Sequence, residues 1–371
     1  MTGWPSLTAA GATMRAVVFR EFGAPEVLHT EEIPVPAVRP GEVLVQVAAV
    51  SVGRFLDLAA RAGVHPYRGY TFPHVLGAEH AGLVAAAGAG VTGWQAGDRV
   101  ACFPALTDGT CRFCRDGYQE LCTSLTLIGT HRPGAYAEYV AVPADSLYRV
   151  PDGVSPVQAT GLALSGVVAM NQLRRAGFRP GQWVLVQGAS SGLGSVTASL
   201  AAHLGGQVFA ASRSEAKRDR LRAMLNVKAT LDPADPDFAG QVRELTGGHG
   251  ADIVVDSLGE PALFQLSLAS LAPGGTLVSS GAFLGRDVTV DLPRLYLNGQ
   301  RIVGVRTGNP ASAEALWAEV GRGFRAPLDT TFPLADAALA HRYLAGEQNT
   351  GRVALLVENN EGTTTCASTA C

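Results

Sequence analysis

Two patterns of hydrophobic and polar positions follow each other along the chain. In roughly the first 150 residues, short apolar runs such as Glu42–Val47 and His80–Val84 alternate with Gly and Pro. Short strands separated by turn residues are typical of a compact β-rich domain. From about Pro156, strand-like runs alternate with helical stretches. Buried strands alternating with helices predict a parallel, doubly wound sheet, so we expect two domains of different architecture within an α/β protein.

The second pattern predicts specific elements. We expect strands at Trp183–Gln187, Gln207–Ala211, Ala251–Asp256, Gly275–Ser280 and Arg301–Val305. We expect helices at 192–204, 214–225 and 261–271. After about Thr307 the pattern is mixed, and a helix at 311–323 and a strand at Arg352–Val357 are expected to return to the first domain. The predicted domains are therefore 14–155 with 308–358, and 156–307, and disordered tails are predicted at 1–13 and 359–371.

Composition narrows the class of protein. A chain of 371 residues with 47% hydrophobic and 16% charged residues has material for two cores. A formal net charge of −3 gives no sign of nucleic-acid or anionic-membrane binding. The sequence contains no apolar run of about 18 residues and no secretory signal at its start. We therefore expect a cytoplasmic protein that acts on a small-molecule substrate.

A glycine-rich segment follows the first strand of the second domain. Gly188-Ala-Ser-Ser-Gly-Leu-Gly194 opens a predicted helix. Glycines at such a turn let the backbone approach a pyrophosphate, which then lies at the helix N-terminus. Because the segment lies between a strand and a helix, we interpret it as a dinucleotide site. The predicted cofactor contacts in this segment are Gly188, Ser191, Gly192, Leu193 and Gly194.

The end of the second strand favours one cofactor over the other. An NAD site usually has an acidic residue there, which bonds the ribose 2′-hydroxyl. This chain has Ser212, Arg213 and, one turn further, Lys217. Without a carboxylate to repel a phosphate, the two cations can pair with one, so we expect NADPH. The alternative is a solvated basic start of a helix.

Three of the six cysteines cluster in one loop. Cys111 and Cys114 are three residues apart, Cys122 follows, and Asp108 precedes them at the same spacing. Three thiolates and one carboxylate make a closed tetrahedral shell, which is typical of a structural zinc. The alternatives are three free buried thiols, or a different fourth ligand in place of Asp108.

Several stretches together resemble the medium-chain dehydrogenase/reductase superfamily of zinc alcohol dehydrogenases and quinone oxidoreductases. The resemblance covers nearly all of 14–357 and rests on Leu76–Val84, Gly97–Val100, Gly134–Tyr139 and the Asp108–Cys122 loop. It implies a GroES-like β-barrel domain interrupted by a Rossmann domain, with the active cleft between them. It also implies that Val168 packs on the nicotinamide, and that the edge strand 301–305 pairs with a second subunit in a homodimer or homotetramer.

This chain departs from that family at the catalytic zinc. Aligned on Asp57, Arg54 stands where the first Cys ligand would be, and Ala78 replaces the His ligand. The segment 162–166 offers no Cys either. A displaced ion on Asp57, Glu79 and His80 is an alternative, although we favour a core role for His80.

Without a Lewis acid, hydride transfer is easiest to an acceptor that is already electrophilic. We therefore expect NADPH-dependent reduction of a conjugated carbonyl or a quinone. The alternatives are an alcohol dehydrogenase with an unusual catalytic metal, and a nucleotide-binding protein with vestigial activity.

The remaining site candidates are less constrained by pattern. Arg54 either binds an enolate or a carboxylate, or pairs with Asp57 at a helix start. His131 and Tyr136 flank a turn and are candidates for catalysis or for structure, while Tyr67 and Tyr70 are candidates for the substrate entrance. Ligands in open α/β sheets bind outside the carboxyl ends of the strands. We accordingly expect nicotinamide contacts from Ser257 and Gly281.

Overall fold

The computed structural model describes residues 11–66 and 69–358. The predicted tails at 1–10 and 359–371 lie outside the described residues, as does Tyr67. Thr13 was assigned to the tail by the sequence pattern, but it opens the first strand and pairs with Pro34. The main-chain oxygen of Ala12 accepts a hydrogen bond from Val35 at 3.0 Å, so order begins before residue 14.

The first domain is built from short strands in two main sheets. Its strands are β1 (Thr13–Phe19), β2 (His29–Pro34), β3 (Glu42–Val52), β4 (His74–Val75), β5 (His80–Ala87), β6 (Arg99–Cys102), β7 (Ala105–Leu106), β8 (Thr126–Leu127), β9 (Tyr139–Pro143) and β10 (Leu147–Arg149). β1 lies between β2 and β4 in a small sheet. β3 is central to the large sheet, where it pairs antiparallel with β5 and β9. Between β3 and β4, a π-helical turn at Arg54–Ala59 faces the second domain.

A lobe projects from this domain between β7 and β8. It contains the short helix α1 (Arg112–Arg115) and a single 3₁₀ turn at Gln119–Leu121. β7 and β8 pair with each other and close the base of the lobe.

The second domain begins with two helices that the sequence pattern did not identify, α2 (Pro156–Ala163) and α3 (Ser165–Ala176). Then follow β11 (Trp183–Val186), α4 (Gly192–His203), β12 (Gln207–Ala211), α5 (Glu215–Met224), β13 (Ala229–Leu231), α6 (Phe238–Leu245), β14 (Ala251–Asp256), α7 (Pro261–Ser270), β15 (Leu271–Ser279), α8 (Leu292–Leu297) and β16 (Arg301–Gly304). The six strands are parallel and run in the order β13-β12-β11-β14-β15-β16. This order is that of a Rossmann fold, so the predicted doubly wound sheet is confirmed.

The chain then returns to the first domain. After α9 (Pro310–Gly321) come β17 (Leu328–Pro333), α10 (Ala337–Ala345) and β18 (Arg352–Leu356). β18 pairs antiparallel with β3, where Val353 lies opposite Val52. The large sheet of the first domain therefore contains strands from both ends of the chain.

Apolar burial follows this division. One buried cluster fills the first domain, and two others cover the two faces of the parallel sheet. In the described ranges, every helix is too short or too polar to span a bilayer.

Candidate active cleft and metal-binding lobe

The glycine-rich turn after β11 brings the backbone into close contact with itself. Gly188 has a φ of +60°, and a Cβ on Gly194 would lie 2.4 Å from the oxygen of Gly188. Ser191 caps α4 by accepting a hydrogen bond from the amide of Gly194 at 3.0 Å. Leu193, in the first turn of α4, is half-buried. A turn this tight exposes backbone amides at a helix N-terminus, which is the geometry that a pyrophosphate needs.

The end of β12 groups the residues expected to select the cofactor. The Ser212 hydroxyl lies 3.3 Å from that of Ser190 in the glycine-rich turn. Arg213 is exposed, and Lys217 is half-buried in the first turn of α5. Burial lowers the pKa of Lys217 from its usual value. The sequence analysis did not consider Arg218, which donates to the oxygen of Ser212 at 2.7 Å and pairs with Asp232.

A buried polar network joins the ends of β14 and β15 to α3. Gln172 donates to the Ser280 hydroxyl at 2.5 Å, and the hydroxyls of Ser280 and Ser257 are 3.3 Å apart. Val168 lies one turn ahead of Gln172 on the same helix. A Cβ added at position 281 would lie 2.4 Å from the main-chain oxygen of Ser257, so the backbone at Gly281 lies very close to the backbone at Ser257. The network therefore joins Ser257 to Ser280, which precedes Gly281, and to the helix that carries Val168; these are the three predicted nicotinamide contacts of this region.

A buried ion pair that the sequence pattern did not indicate lies next to the start of α4. Arg352 at the start of β18 pairs with Glu79, and both side chains are more than nine-tenths buried. Ser165 bridges them, since it accepts from Arg352 at 2.6 Å and donates to Glu79 at 3.1 Å. Arg352 also packs on Gly192, because a Cβ added at position 192 would lie 3.1 Å from the Cδ of Arg352. The buried Nε of Arg352 has no hydrogen-bond partner among the described residues. An unsatisfied donor beside the start of α4 fits a phosphate oxygen at that position.

The structure changes the interpretation of the predicted catalytic residues. Arg54 donates to the oxygen of Leu344 at 2.5 Å, which caps the end of α10 rather than presenting a guanidinium to a substrate. Tyr136 is fully buried in the first-domain core, and its hydroxyl lies 3.1 Å from His341. His131 is exposed, and its Nδ1 accepts from the amide of Leu127 at 3.0 Å. Arg54 and Tyr136 each use their polar group within the first domain, which favours the structural alternative given for them above.

The place expected for catalytic zinc ligands is apolar. Leu56, Ala78 and Leu127 form a buried cluster, against which Leu164 and Leu125 pack. Leu56 follows Arg54 by two positions, and Leu164 immediately precedes α3. Hydrocarbon side chains therefore occupy the region between the Arg54 turn, Ala78 and the start of α3.

The displaced ion considered from the sequence is not supported by the geometry. The carboxylate of Asp57 accepts the amides of Gly53 and Gly77 at 2.7 and 3.1 Å, and Glu79 is engaged by Arg352. Burial raises the pKa of Asp57 to about 7 and lowers the pKa of His80 to about 4. Within residues 11–66 and 69–358, the only cluster with metal-ligand geometry is the lobe.

The lobe brings its four predicted ligands together. One ligand atom from each of Asp108, Cys111, Cys114 and Cys122 lies within 4.8 Å of all the others. Oδ1 of Asp108 accepts the amides of Thr110 and Cys111 at 2.8 and 2.9 Å, and these bonds hold its pKa well below the usual range. The carboxylate is therefore ionised and oriented, and three sulfurs with one carboxylate oxygen suit a tetrahedral zinc.

The lobe is also tied to the end of the Rossmann domain. Asn309, the N-cap of α9, donates to the buried carboxylate of Glu120 at 2.9 Å. Its own side-chain oxygen accepts the amide of Ser312. A single amide side chain thus links the lobe to α9.

Comparison with known proteins matches both domains. Residues 39–152 match the alcohol dehydrogenase GroES-like domain, and residues 192–322 match the zinc-binding dehydrogenase family. The chain is 32% identical over 364 residues to a 2-haloacrylate reductase from Burkholderia sp, and the alignment covers 92% of this chain and 98% of the relative. It is 31% identical to a quinone oxidoreductase from Pseudomonas aeruginosa, covering 92% of this chain and 99% of the relative.

A solved structure of an NAD-dependent alcohol dehydrogenase superposes with a TM-score of 0.87 at 35% identity. The superposition covers 93% of this chain and 100% of the chain of the solved structure. Full-length coverage at this identity, together with the Rossmann strand order and the GroES-like match, shows that the chain is an oxidoreductase of the medium-chain dehydrogenase/reductase superfamily.

Proposed function

We propose that the protein is an NADPH-dependent reductase that transfers hydride to a conjugated carbonyl or a quinone without a catalytic zinc. The observation that carries this proposal is the apolar cluster of Leu56, Ala78 and Leu127, with Leu164 packed against it, at the position of the missing ligands. Reduction of a saturated ketone, or oxidation of an alcohol, places charge on a single alkoxide oxygen, which a Lewis acid stabilises well. A conjugated acceptor spreads that charge as an enolate, so it tolerates a site of hydrocarbon side chains.

Residues of this chain suit NADPH. When bound, NADPH would supply the hydride, and the proton that completes the reduction of an enone or a quinone would come from water. The start of α4 and the Nε of Arg352, which has no partner among the described residues, would hold the pyrophosphate, and Arg213 and Lys217 would pair with the 2′-phosphate. Ser257 and Gly281 would orient the nicotinamide, and Val168 would pack on its ring.

The lobe would hold one zinc ion with a structural role. Asp108, Cys111, Cys114 and Cys122 would fill all four positions, which leaves no open site for a substrate. The second subunit of a homodimer or homotetramer would pair along β16, the edge of the parallel sheet. Leu292, Tyr296 and Leu297 on the adjacent helix α8 are all more than 60% exposed, as expected of an uncovered interface.

A zinc-dependent alcohol dehydrogenase is the second candidate, because the chain is similar over 93% of its length to an NAD-dependent alcohol dehydrogenase of solved structure. Metal analysis and activity separate the two. Our proposal expects about one zinc per chain, loss of reduced-nicotinamide absorbance with enones or quinones, and a higher kcat/KM with NADPH than with NADH. About two zinc ions per chain and turnover of simple alcohols would favour the second candidate. NADPH binding without turnover of any acceptor would instead favour a nucleotide-binding protein.

A further inference from the structure

A buried series of polar side chains runs from the metal-binding lobe to helix α3. Asn309 donates to the carboxylate of Glu120 in the lobe at 2.9 Å, and its side-chain oxygen accepts the amide of Ser312 at 2.9 Å. The hydroxyl of Ser312 donates to the side-chain oxygen of Asn171 on α3 at 3.3 Å. All four residues are more than nine-tenths buried, so solvent competes little for these hydrogen bonds.

Helix α3 continues this series to the residues expected to contact the nicotinamide. Gln172, which follows Asn171, donates to the Ser280 hydroxyl at 2.5 Å. Ser280 precedes Gly281, and Val168 lies one turn ahead of Gln172 on the same helix. Two consecutive residues of one helix therefore bond in opposite directions, one toward the lobe and the other toward the proposed nicotinamide site.

The segment that joins β16 to α9 packs against the same helix. Asn171 donates to the main-chain oxygen of Thr307 at 3.0 Å. Thr307 has a φ of +40°, a conformation that β-branched residues rarely adopt. A Cβ added at Gly308 would lie 2.5 Å from the side chain of Val167. Such a backbone persists only where its surroundings hold it, so the conformation of 307–309 depends on the position of α3.

The lobe also contacts α3 directly. The guanidinium of Arg175, in the last turn of α3, lies 5.3 Å from the centre of the Tyr118 ring. Tyr118 immediately precedes the 3₁₀ turn that carries Glu120. The lobe is therefore joined to α3 at two points, once through Asn309 and once through a cation–π contact.

The order of the lobe should depend on its metal ion. Its secondary structure is a four-residue helix and one 3₁₀ turn, and Phe113, Tyr118 and Leu121 are each more than a third exposed. Because so small a unit has little apolar surface to bury, the free energy of metal binding would supply much of its stability. Loss of the ion would then release Glu120 from its place against Asn309.

We propose that a zinc ion in the lobe and the nicotinamide of the cofactor strengthen each other's binding, and that Asn309 is the positioning residue that couples them. Metal in the lobe fixes Glu120, Asn309 and α3, and a nicotinamide packed on α3 favours the same arrangement. By thermodynamic linkage, each ligand then raises the affinity for the other by the same factor. This inference rests on the proposed function for the cofactor and the zinc, but the coupling is measured as binding and not as activity.

The test compares the zinc affinity of the protein with and without cofactor, at equilibrium against a chromophoric chelator of known affinity. We expect saturating NADPH to raise the zinc affinity at least about fivefold, and NADH is measured in parallel so that the result does not depend on cofactor preference. In contrast, 2′-phospho-ADP-ribose, which is NADP without its nicotinamide, should raise it less than about twofold. In the reciprocal titration, followed by nicotinamide fluorescence, removal of zinc should raise the Kd for NADPH by the same factor as NADPH raises the zinc affinity.

Three variants test whether Asn309 carries the coupling. Serine in Asn309→Ser can still cap α9 but is too short to donate to Glu120, so the coupling should fall below about twofold while zinc and NADPH still bind. Glu120→Gln retains a side-chain oxygen that accepts from Asn309, and should therefore keep most of the coupling. Glu319→Gln is the control, because Glu319 lies on the same helix α9 but pairs with His203, and this variant should couple as the wild type does.

The possible results separate the coupling from the proposed reaction. Coupling that Asn309→Ser abolishes, in a protein that reduces no acceptor, would sustain the coupling and refute the reductase. Equal zinc affinity with and without cofactor, in a protein that reduces enones or quinones, would refute the coupling alone. An equal effect of 2′-phospho-ADP-ribose, undiminished coupling in Asn309→Ser, or a lobe that takes up no zinc would also refute it. Failure to bind either cofactor would refute both proposals.

Discussion

Arg352 and Glu79 form a buried ion pair although 273 positions separate them in the sequence. The pair joins β18, which comes from the end of the chain, to the segment just before β5. Ser165 at the start of α3 completes it from the Rossmann domain. The Rossmann domain therefore contacts this buried pair of the first domain through Ser165, beside the proposed pyrophosphate site.

Removing the carboxylate of this pair should destabilise the protein strongly. Glu79→Gln leaves the Arg352 guanidinium buried without its countercharge, which costs about 3–5 kcal/mol in comparable pairs. Urea unfolding would measure the loss. The matched control is Glu31→Gln, since the Arg20–Glu31 pair lies at the surface and should contribute less than about 1 kcal/mol. Equal losses in both variants would contradict the assigned role of the buried pair.

Arg213 and Lys217 should determine the cofactor preference. Replacing either with Ala removes one charge-assisted contact to the 2′-phosphate and should raise the KM for NADPH about tenfold. The KM for NADH, which lacks that phosphate, should change less than twofold. Steady-state kinetics with both cofactors provides the measurement, and a parallel rise for NADH would show that the residues act on the fold instead.

The lobe should lose its zinc when one sulfur is removed. Cys122→Ser replaces a buried thiolate by a weak ligand, so we expect fewer than about 0.2 zinc per chain by plasma mass spectrometry. Asp108→Cys restores the four-sulfur set and should retain the metal more tightly against a chelator. Cys102→Ser is the control, because Cys102 is buried in β6, outside the lobe. Unchanged zinc in Cys122→Ser would exclude that residue as a ligand.

His341 should make the protein sensitive to acid. Burial, with a smaller contribution from Arg61, lowers the pKa of His341 to about 3. Its Nδ1 accepts from Arg61 at 3.2 Å, so Nε2 carries the proton that bonds Tyr136 at 3.1 Å. The unfolded chain binds a proton below about pH 6.5 while the native state does not, so stability falls as the pH falls. The loss from this group is about 2 kcal/mol between pH 6.5 and 5.

The check is urea unfolding at several pH values in this window. Glutamine in His341→Gln keeps one hydrogen-bond acceptor and one donor but does not titrate. Between pH 6.5 and 5, the variant should therefore lose about 2 kcal/mol less unfolding free energy than the wild type. Identical slopes for the two proteins would rule out His341 as the source of the sensitivity.

The edge of the parallel sheet should pair with a second copy. Ile302 on β16 is 38% exposed, and Ile302→Lys places a charge along the proposed strand pairing. We expect light scattering to give the mass of a dimer or tetramer for the wild type and a smaller species for the variant. Leu339→Lys, at an exposed apolar position on α10, is the control and should keep the wild-type mass.

The sequence predicts the parts of the site that depend on local spacing. The predicted bounds of five strands of the parallel sheet lie within a few residues of the observed ones, because an apolar run between Gly and a helix cap is a local signal. The short strand β13 was not predicted. The four residues of the lobe meet as their spacing indicates. The helices α2 and α3 were missed because nearly every residue of α3 up to Leu173 is buried, which removes the polar face that marks a surface helix.

Side-chain direction and long-range pairing were beyond what spacing can show. Arg54 lies at the predicted position, but its guanidinium turns to Leu344, almost 300 residues away. Tyr136 flanks the expected turn, yet its ring fills the core next to His341. Arg352 opens an apolar strand, and nothing in its neighbourhood along the chain points to Glu79. Such contacts depend on the tertiary arrangement of both domains.

Because β18 follows all the Rossmann strands in the sequence and pairs with β3, the ribosome must translate as far as residue 356 before the first domain can close. No strand of the first domain lies between β11 and β16 in the sequence, so the Rossmann sheet can assemble before β17 and β18 have been synthesised. A polypeptide cut short before residue 352 would also lack the arginine that we assign to the pyrophosphate. Premature termination would thus yield a nucleotide-binding fold whose cofactor site lacks Arg352. The edge of β3 that normally pairs with β18 would be exposed, where chaperones and proteases could recognise it.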